Sequence, residues 1–489
     1  MLFDEIILIV YILTMLVILF FASHGIIMLF YHRKYIENVP KSIDNAAIDK
    51  KVTIQLPLYN EQYVAERLIE SVCKIDYPKQ LLEIQVLDDS TDETVGIVKK
   101  LVEKKLSEGF DIKHIRRSNR KGYKAGALKE GLKTAKGDLI AIFDADFVPR
   151  QDFLKNTLRY FTNTKIGMVQ TRWEHLNEDY SLLTKIQAIA LNGHFVMEQP
   201  IRNRAGFFIN FNGTGGVWRK ECIEDAGNWH ADTITEDLDL SYRAQLKGWK
   251  FVYLRDFTTP AELPAEMNAL KAQQFRWTKG AIETAKKLLP MVWTSKIPLR
   301  IKLQSTFHLT NNIVFPFILI AGILNVPLIF IKNSGPYNIF FNFMSVFVIA
   351  FISSFLFYLF AQKDVYKDWR KKIALFPIFM AGSMGFAVNN SRAVFEGLLD
   401  RKSEFVRTPK FKIVNKNDVV IPTSSYLTNF KINSTVLVEI LLAFYCLIGV
   451  FASIYFMEIA ALPFHLMFFL GFASVAGLSI KHSGIKKNN

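Results

Sequence analysis

The apolar run "AIF" (141–143) leads directly into Asp144 and Asp146, with Ala145 alone between them. Two carboxylates at i and i+2 at the end of an apolar strand can hold a hard divalent cation. Mg²⁺ and Mn²⁺ prefer such oxygen ligands and often share them with substrate phosphates. A lone D-x-D is equally at home in a solvated loop, so its meaning depends on what else reaches the same place. Two further polar clusters follow apolar runs in the same way: Tyr59, Asn60 and Glu61 after "VTIQLP" (52–57), and Asp88 and Asp89 after "EIQVL" (83–87).

The elements that must position these clusters can be read from periodicity. "VTIQLP", "EIQVL", "IKHI" (112–115) and "DLIAIF" (138–143) read as strands. Between them, "EQYVAERLIESVCKI" (61–75) places Val64, Leu68, Val72 and Ile75 on one helical face. Helices are also expected over about 92–107 and 124–135. Strands alternating with helices predict an α/β fold with a mainly parallel sheet and flanking helices. Ligands of such sheets bind beyond the carboxyl ends of the strands, which would line up "YNE", "DD" and "DAD" along one edge.

The composition adds a membrane. The chain has 489 residues, is 50% hydrophobic and 21% charged, and contains 42 Phe, with mean hydropathy +0.17. That balance suits a polar domain joined to membrane helices. Residues 6–31 carry no Lys, Arg, Asp or Glu, and lack a signal-peptide cleavage pattern. They read as a spanning helix, with "HRK" just after. Further spans are expected at 303–331, 337–361, 434–457 and 461–480. The organisation is therefore an N-terminal helix and basic flank (1–34), a polar domain (35–290) ending in an interfacial helix, and a C-terminal region (291–489) of four or five spans. Basic segments at 32–34, 362–372, 401–413 and 481–489 put the polar domain in the cytoplasm. If 372 and 401 share a side, 373–391, which contains Pro377, Gly382 and Gly385, is a re-entrant segment rather than a sixth span. The net charge of +15 then reflects this sidedness and not a nucleic-acid partner. Cys73, Cys222 and Cys446 lie too far apart for a zinc pattern and suggest no disulfide framework.

Four motifs occur in order: "VLDDSTD", "FDADF", "TEDLDL" (235–240) and "QQFRW" (273–277). This resembles the inverting family 2 glycosyltransferases with the pattern D, D-x-D, T-E-D, Q-x-x-R-W. The resemblance covers about 50–290 and implies a GT-A fold inserted between transmembrane helices. "QVLDDSTD", "NRKGYKAGALKEGLK", "IAIFDADFVP" and "FNGTGGVWR" look closer still to cellulose-synthase-like glucomannan, mannan and xyloglucan-backbone synthases.

The resemblance implies a role for each motif. Asp144 and Asp146 would hold the cation, with Asp144 beside the donor. Tyr59, Glu61, Asp88 and Asp89 would meet the nucleotide, although Asn60 and Glu61 also suit a helix cap. Lys124 would reach the nucleotide or its phosphate as a point charge. Asp237 matches the last acid of T-E-D and would be the general base that takes the acceptor's proton. Glu236 and Asp239 compete for that role, and helix geometry allows only one of Asp237 and Asp239 to face the site. Thr235 suffices as the helix cap. Gln273 and the planar fork of Arg276 suit a diphosphate, and Trp277 would offer a flat face to the acceptor sugar. Asn212, Gly213 and Thr214 occupy the acceptor loop, where cellulose synthases have Cys-Gly-Ser; this departure counts against cellulose as the product. "VRTPK" (406–410) resembles a gating loop that closes over the nucleotide.

These features together predict a processive hexosyltransferase. It would use UDP-glucose or GDP-mannose and Mg²⁺ or Mn²⁺, and extend a β-linked glycan that leaves through the membrane. A non-processive enzyme with a lipid acceptor is the nearest rival. A non-catalytic transporter or channel is the rival of another class. The Lys-, Ile- and Asn-rich composition and compact length point to a bacterial inner membrane, with the Golgi membrane as the alternative.

Overall fold

The structure, a computed structural model, describes residues 2–41, 49–403, 406–418 and 434–483. Seven strands form one sheet: β1 (Val52–Leu58), β2 (Leu82–Asp88), β3 (Asp111–Arg116), β4 (Leu139–Ile142), β5 (Ile166–His175), β6 (Gly216–Arg219) and β7 (Lys250–Ala261), in the order β3-β2-β1-β4-β6-β5-β7. The first four are mutually parallel, with Leu58 opposite Asp88 and Val52 opposite Leu139. Their carboxyl ends therefore emerge on one edge. β4 shows why its run is apolar throughout. Leu139 and Ala141 enter the core on one face of the sheet, while Ile140 and Ile142 enter the core on the other. Helices cover both faces, so neither side of the strand can be polar.

The helices Ala65–Cys73, Thr94–Ser107 and Tyr123–Thr134 fall where the periodicity places them. The first starts four residues after the beginning of the expected stretch 61–75. Asn60 has a positive φ of 55°, and the Glu61 carbonyl accepts from the amides of Val64 and Ala65. A turn thus precedes the helix, and the N-cap is Val64, with no side-chain cap bond. Asn60 and Glu61 are not the cap. The sheet also departs from all-parallel at β6, which runs antiparallel to both β4 and β5. Gly213 (φ 80°) and Gly215 (φ 66°) supply the backbone conformations that turn the chain into β6.

Among the described residues, five helices are long and apolar enough to cross a membrane: Leu2–Tyr35, Leu299–Ser334, Asn338–Val365, Ser434–Tyr455 and Leu462–Ser483. The chain is a multi-pass membrane protein. The ambiguous block at 373–391 falls in a bent pair, Trp369–Gly385 and Ala387–Leu398, which meet at 44°. The first member packs closely on the last long helix: a Cβ on Gly385 would lie 2.4 Å from the Gly471 carbonyl oxygen. The second member buries Asn389, Asn390 and Ser391 and packs against the helix Met267–Thr294. Polar residues can sit at this depth because they face protein rather than lipid. Of the basic flanks, 404–405 and 484–489 lie outside the described residues.

Met267–Thr294, which carries "QQFRW", is tied to the membrane helices by a buried ion pair. Lys271 Nζ donates to Glu439 Oε1 and Oε2 at 2.7 and 2.9 Å. The Asn389 amide also donates to the Lys271 carbonyl at 3.1 Å. Breaking a buried pair strands one charge, whereas replacing both partners with apolar residues does not. Glu439→Leu alone is expected to cost about 3–5 kcal/mol and to lower the Tm of the detergent-purified protein. Adding Lys271→Met is expected to recover most of the loss. A double variant no more stable than the single one would contradict this account.

Candidate active site

A cavity of about 240 Å³ lies at the carboxyl edge of β1, β2 and β4. Tyr59 and Glu61 reach it from the turn after β1, Asp89 from beyond β2, and Asp144 and Asp146 from beyond β4. Lys124 enters from Tyr123–Thr134, and Asn212 and Gly213 from the loop before β6. Glu236 and Asp237 come from the first turn of the helix Glu236–Leu246, and Gln273, Arg276 and Trp277 from Met267–Thr294. Arg407, Thr408 and Lys410 complete the wall.

Four of the carboxylates on this wall are paired with a cation. Lys124 Nζ lies 2.6 Å from Asp144 Oδ1, and Lys410 Nζ 2.5 Å from Asp146 Oδ2. Arg407 lies 3.5 Å from Glu61. Arg117 grips Asp89 through Nε at 2.9 Å and also through Nη2. Burial raises the Asp144 carboxyl above the usual range, against the pull of Lys124. Burial also works against the Lys124 ammonium, but Asp144, Glu236 and Asp237 around it raise its pKa overall. Lys124 is therefore a half-buried cation of the cavity wall rather than a solvated helix lysine. It also donates to the Gly213 carbonyl at 2.9 Å.

The acidic cluster at 236–239 divides by direction. Asp239 is fully buried on the far side, held by Arg243 at 2.7 Å and Lys287 at 2.9 Å. Glu236 and Asp237 face the cavity. Both are raised above ordinary carboxylates, Glu236 by burial and the adjacent Asp237, Asp237 by burial against the pull of Lys124. Thr235 does not cap the helix with its side chain. Its hydroxyl instead bonds Thr284 Oγ1 at 3.0 Å, which fastens this turn to Met267–Thr294. Asp237 Oδ1 accepts from the Leu238 amide at 2.8 Å.

Two of the sequence-selected residues stand behind the wall. Asp88 is buried, and accepts from the Ser90 amide and pairs with His114 Nε2, both at 2.8 Å. Burial opposes its charge, but the His114 and Ser90 bonds outweigh it and hold its pKa low. Thr214 is also buried, and its Oγ1 accepts from the Asp144 amide at 2.8 Å. Both shape the loops that carry the cavity residues. Asn60 likewise ties the β1 and β2 turns together, its Oδ1 accepting from the Thr91 amide at 2.8 Å.

Arg276 donates to Thr408 Oγ1 at 2.8 Å and to the Val406 carbonyl, so the "QQFRW" helix holds the "VRTPK" segment against the cavity. Burial lowers its pKa to about 10, still far above neutrality. Wall residues not singled out from the sequence include Arg120 and Trp173. Arg120 stacks over the Tyr59 ring, 3.3 Å from its centroid. Arg120 and Arg117 belong to the basic run 116–124 that follows β3, a signal that was legible. Arg407 and Lys410 lie within "VRTPK". Trp173, on β5, had no sequence signal. His230, Asp232 and Asp239 cluster closely enough to suggest a second metal site. Lys287 Nζ already occupies the centre of that cluster, 3.1, 2.9 and 2.9 Å from the three groups.

Residues 50–280 match the family model described as "Glycosyltransferase like family 2". A rice protein (Oryza sativa subsp. japonica) described as probable glucomannan 4-beta-mannosyltransferase 2 is 36% identical over 415 residues, covering 81% of this chain and 68% of the relative. The chain belongs to the family 2 glycosyltransferases. Glucomannan 4-beta-mannosyltransferase 7 of Arabidopsis thaliana is 40% identical over 278 residues, 56% of this chain and 50% of that protein. The match thus spans about half the length of the first such relatives. Among solved structures, a mannosyltransferase from Pyrobaculum calidifontis, in complex with GDP-Man and Mn²⁺, has TM-score 0.55 at 19% identity, covering 81% of this chain and 100% of its own. It shares the GT-A fold of this glycosyltransferase.

The raised carboxyls at 236 and 237 have a kinetic consequence. Burial favours their protonated forms, so acidification removes a basic carboxylate earlier than in water. The acid limb of the pH–rate profile is expected above the free-carboxyl value of about 4. A limb at or below that value would show that neither raised carboxyl controls turnover.

Proposed function

We propose that this enzyme is a membrane-integrated inverting hexosyltransferase. It moves a sugar from GDP-mannose or UDP-glucose to the end of a β-linked polysaccharide and passes the product through its membrane helices. The observation that carries this reading is that one cavity gathers Asp144 and Asp146, Asp237, and Gln273, Arg276 and Trp277. The mannosyltransferase descriptions of the plant relatives support mannose as the transferred sugar.

The oxygen-only donors Asp144 and Asp146 fit Mg²⁺ or Mn²⁺, and ammonium groups already stand against both carboxylates. A divalent cation there would supply Lewis-acid neutralisation of the departing diphosphate. Lys124 and Arg276 add charge on the same side, and Arg276 offers a bidentate fork. Tyr59, with Arg120 over its ring, and Asp89 form the nucleotide end, with Glu61 beside them. Asp237 takes the acceptor hydroxyl proton as that oxygen attacks the anomeric carbon and the carbon–phosphate oxygen bond breaks. Glu236 is the neighbouring acid whose charge raises the basicity of this corner. Trp277 supports the acceptor sugar. The basic flanks support a site on the cytoplasmic side. Composition supports a bacterial inner membrane, whereas the plant origin of the curated relatives supports the Golgi.

Incubating the purified enzyme separately with GDP-mannose, UDP-glucose and UDP-N-acetylglucosamine tests the reading. A ladder of β-linked hexose product from one of the first two is expected; a single sugar on lipid would instead favour the non-processive enzyme. Asp146→Ala and EDTA are both expected to abolish transfer without unfolding the protein, and Mg²⁺ or Mn²⁺ to restore the EDTA-treated wild type. Full activity in EDTA would defeat the metal assignment. Asp237→Asn is expected to keep donor binding and lose about 10²-fold or more in turnover; an active Asp237→Asn beside a dead Glu236→Gln would move the base to Glu236. Trp277→Ala is expected to leave donor affinity near wild type while elongation fails. Normal product length from that variant would remove its acceptor role.

A further inference from the structure

A cavity of about 1090 Å³ runs along the last long helix, Leu462–Ser483. That helix contributes Pro463, Leu466, Leu470, Ser474, Leu478 and Lys481, a stripe at three- and four-residue spacing. At 1.5 Å per residue the stripe is about 27 Å long, close to the ~30 Å of a bilayer's hydrocarbon core. Other walls come from the bent helix Trp369–Gly385 and from the domain helix Leu182–Asn192. Leu182, Ile378, Leu466 and Leu470 line the cavity and are also exposed, so it opens sideways toward lipid as a groove.

The charge of this groove is confined to the end nearest the domain. Among the described residues its lining holds one acid, Glu266, and one lysine, Lys481, with His482 next to it. They adjoin because the last helix ends where Met267–Thr294 begins. His482 Nδ1 accepts from the Met267 amide at 2.9 Å, and Asn268 Nδ2 donates to the Ser479 carbonyl at 3.0 Å and to Ser483 Oγ at 3.1 Å. Glu266 is half-buried, and among the described residues its carboxylate has no ion pair and caps no helix amide. Burial alone pushes its pKa up to about 7. A carboxylate held against an apolar groove is costly until a countercharge reaches it, and an ammonium beside it would favour its charged form.

We propose that this groove binds a phospholipid with a primary-amine headgroup, of the phosphatidylethanolamine class: the ammonium donates to Glu266, the phosphate meets Lys481, and an acyl chain lies along the last helix. The glycan product fits the groove poorly. Beyond the charged end the stripe is aliphatic apart from Ser474, and it offers a sugar chain few partners for its hydroxyls. A separate cavity of about 550 Å³ between the membrane helices gathers His24, Glu198, Asn311 and Asn325, a lining better matched to a hydroxyl-rich chain. The lipid also touches what builds the active site. Glu266 and Met267 open the helix that carries Gln273, Arg276 and Trp277, while Phe411 and Ile413, which line the groove, follow directly on "VRTPK". A bound lipid therefore braces both elements and supports transfer; this coupling, unlike the site itself, rests on the glycosyltransferase reading above.

Binding is measured by native mass spectrometry on the full-length enzyme, purified in detergent and stripped of lipid, with palmitoyl-oleoyl phosphatidylethanolamine, phosphatidylcholine and phosphatidylglycerol. The wild type is expected to bind the ethanolamine lipid about tenfold or more tightly than the other two, the scale of one charge-assisted hydrogen bond. Trimethylammonium has no N–H to give, and glycerol has no charge to match. Glu266→Gln is expected to erase this preference, and Lys481→Ala to weaken all three lipids. Gly382→Leu fills the groove where an added Cβ would meet Ile186 at an unstrained 3.9 Å; it is expected to fold and to lose all three. Equal affinity for the three lipids, a preference that survives Glu266→Gln, or undiminished binding by Gly382→Leu would overturn the site. Competitive displacement of the lipid by manno-oligosaccharides would overturn it too and give the groove to the product. For the coupling, transfer in phosphatidylcholine vesicles is expected to rise about fivefold or more when the ethanolamine lipid is added to the wild type, and not with Glu266→Gln. A wild type equally active without that lipid would overturn the coupling. A wild type that transfers no sugar in any lipid would defeat the underlying reading, and the binding measurements would still decide the site.

Discussion

Six carboxylates, Glu61, Asp89, Asp144, Asp146, Glu236 and Asp237, share the wall of one small cavity, and their mutual repulsion is the constraint to which the rest of the site answers. Like charges in a partly desolvated space raise one another's pKa or recruit countercharge. Both effects are present here. Glu236 and Asp237 are pushed upward, while Lys124, Lys410 and Arg407 each come to lie beside an acid. These cations come from two stretches of chain, Lys124 from one and Arg407 and Lys410 from the other. The balance of charge thus ties the "VRTPK" segment to the sheet edge. A cavity lined in this way suits a diphosphate and a divalent cation, because the ligands bring the same two kinds of charge that the wall already balances.

The helix Met267–Thr294 carries this arrangement into the membrane. Near its start Lys271 pairs with Glu439 of the helix Ser434–Tyr455. Within the next two turns, Gln273, Arg276 and Trp277 face the cavity. Lys279 then holds Ser403 at 2.7 Å and the Arg401 carbonyl. One stiff element therefore sets the distance between the membrane helices, the reacting groups and the segment above them. A shift of any membrane helix that moves Glu439 is transmitted to Arg276 and Trp277. A π-helical turn at Gly193–Glu198 makes a second such link, since it touches both Tyr358 and Asn212.

Much of this was written in local sequence. Apolar runs followed by polar clusters marked β1, β2 and β4 and placed Tyr59, Asp89, Asp144 and Asp146 on one edge, because parallel strands must end together. Uninterrupted apolar stretches marked the five long helices, because lipid offers a backbone no hydrogen-bond partner. Helix geometry required Asp237 and Asp239 to part company. Tertiary structure decided which of them faced inward, since Arg243, Lys287 and His230 claim Asp239 from three different parts of the chain. It also turned Asp88 and Thr214 into supports behind the wall, moved the Thr235 hydroxyl from its own helix to Thr284, and brought Trp173 to the site with no motif to announce it. Periodicity and strand polarity are properties of neighbours in sequence and can be read there. Which charge meets which depends on groups tens to hundreds of residues apart, and only the folded chain brings them within hydrogen-bond distance.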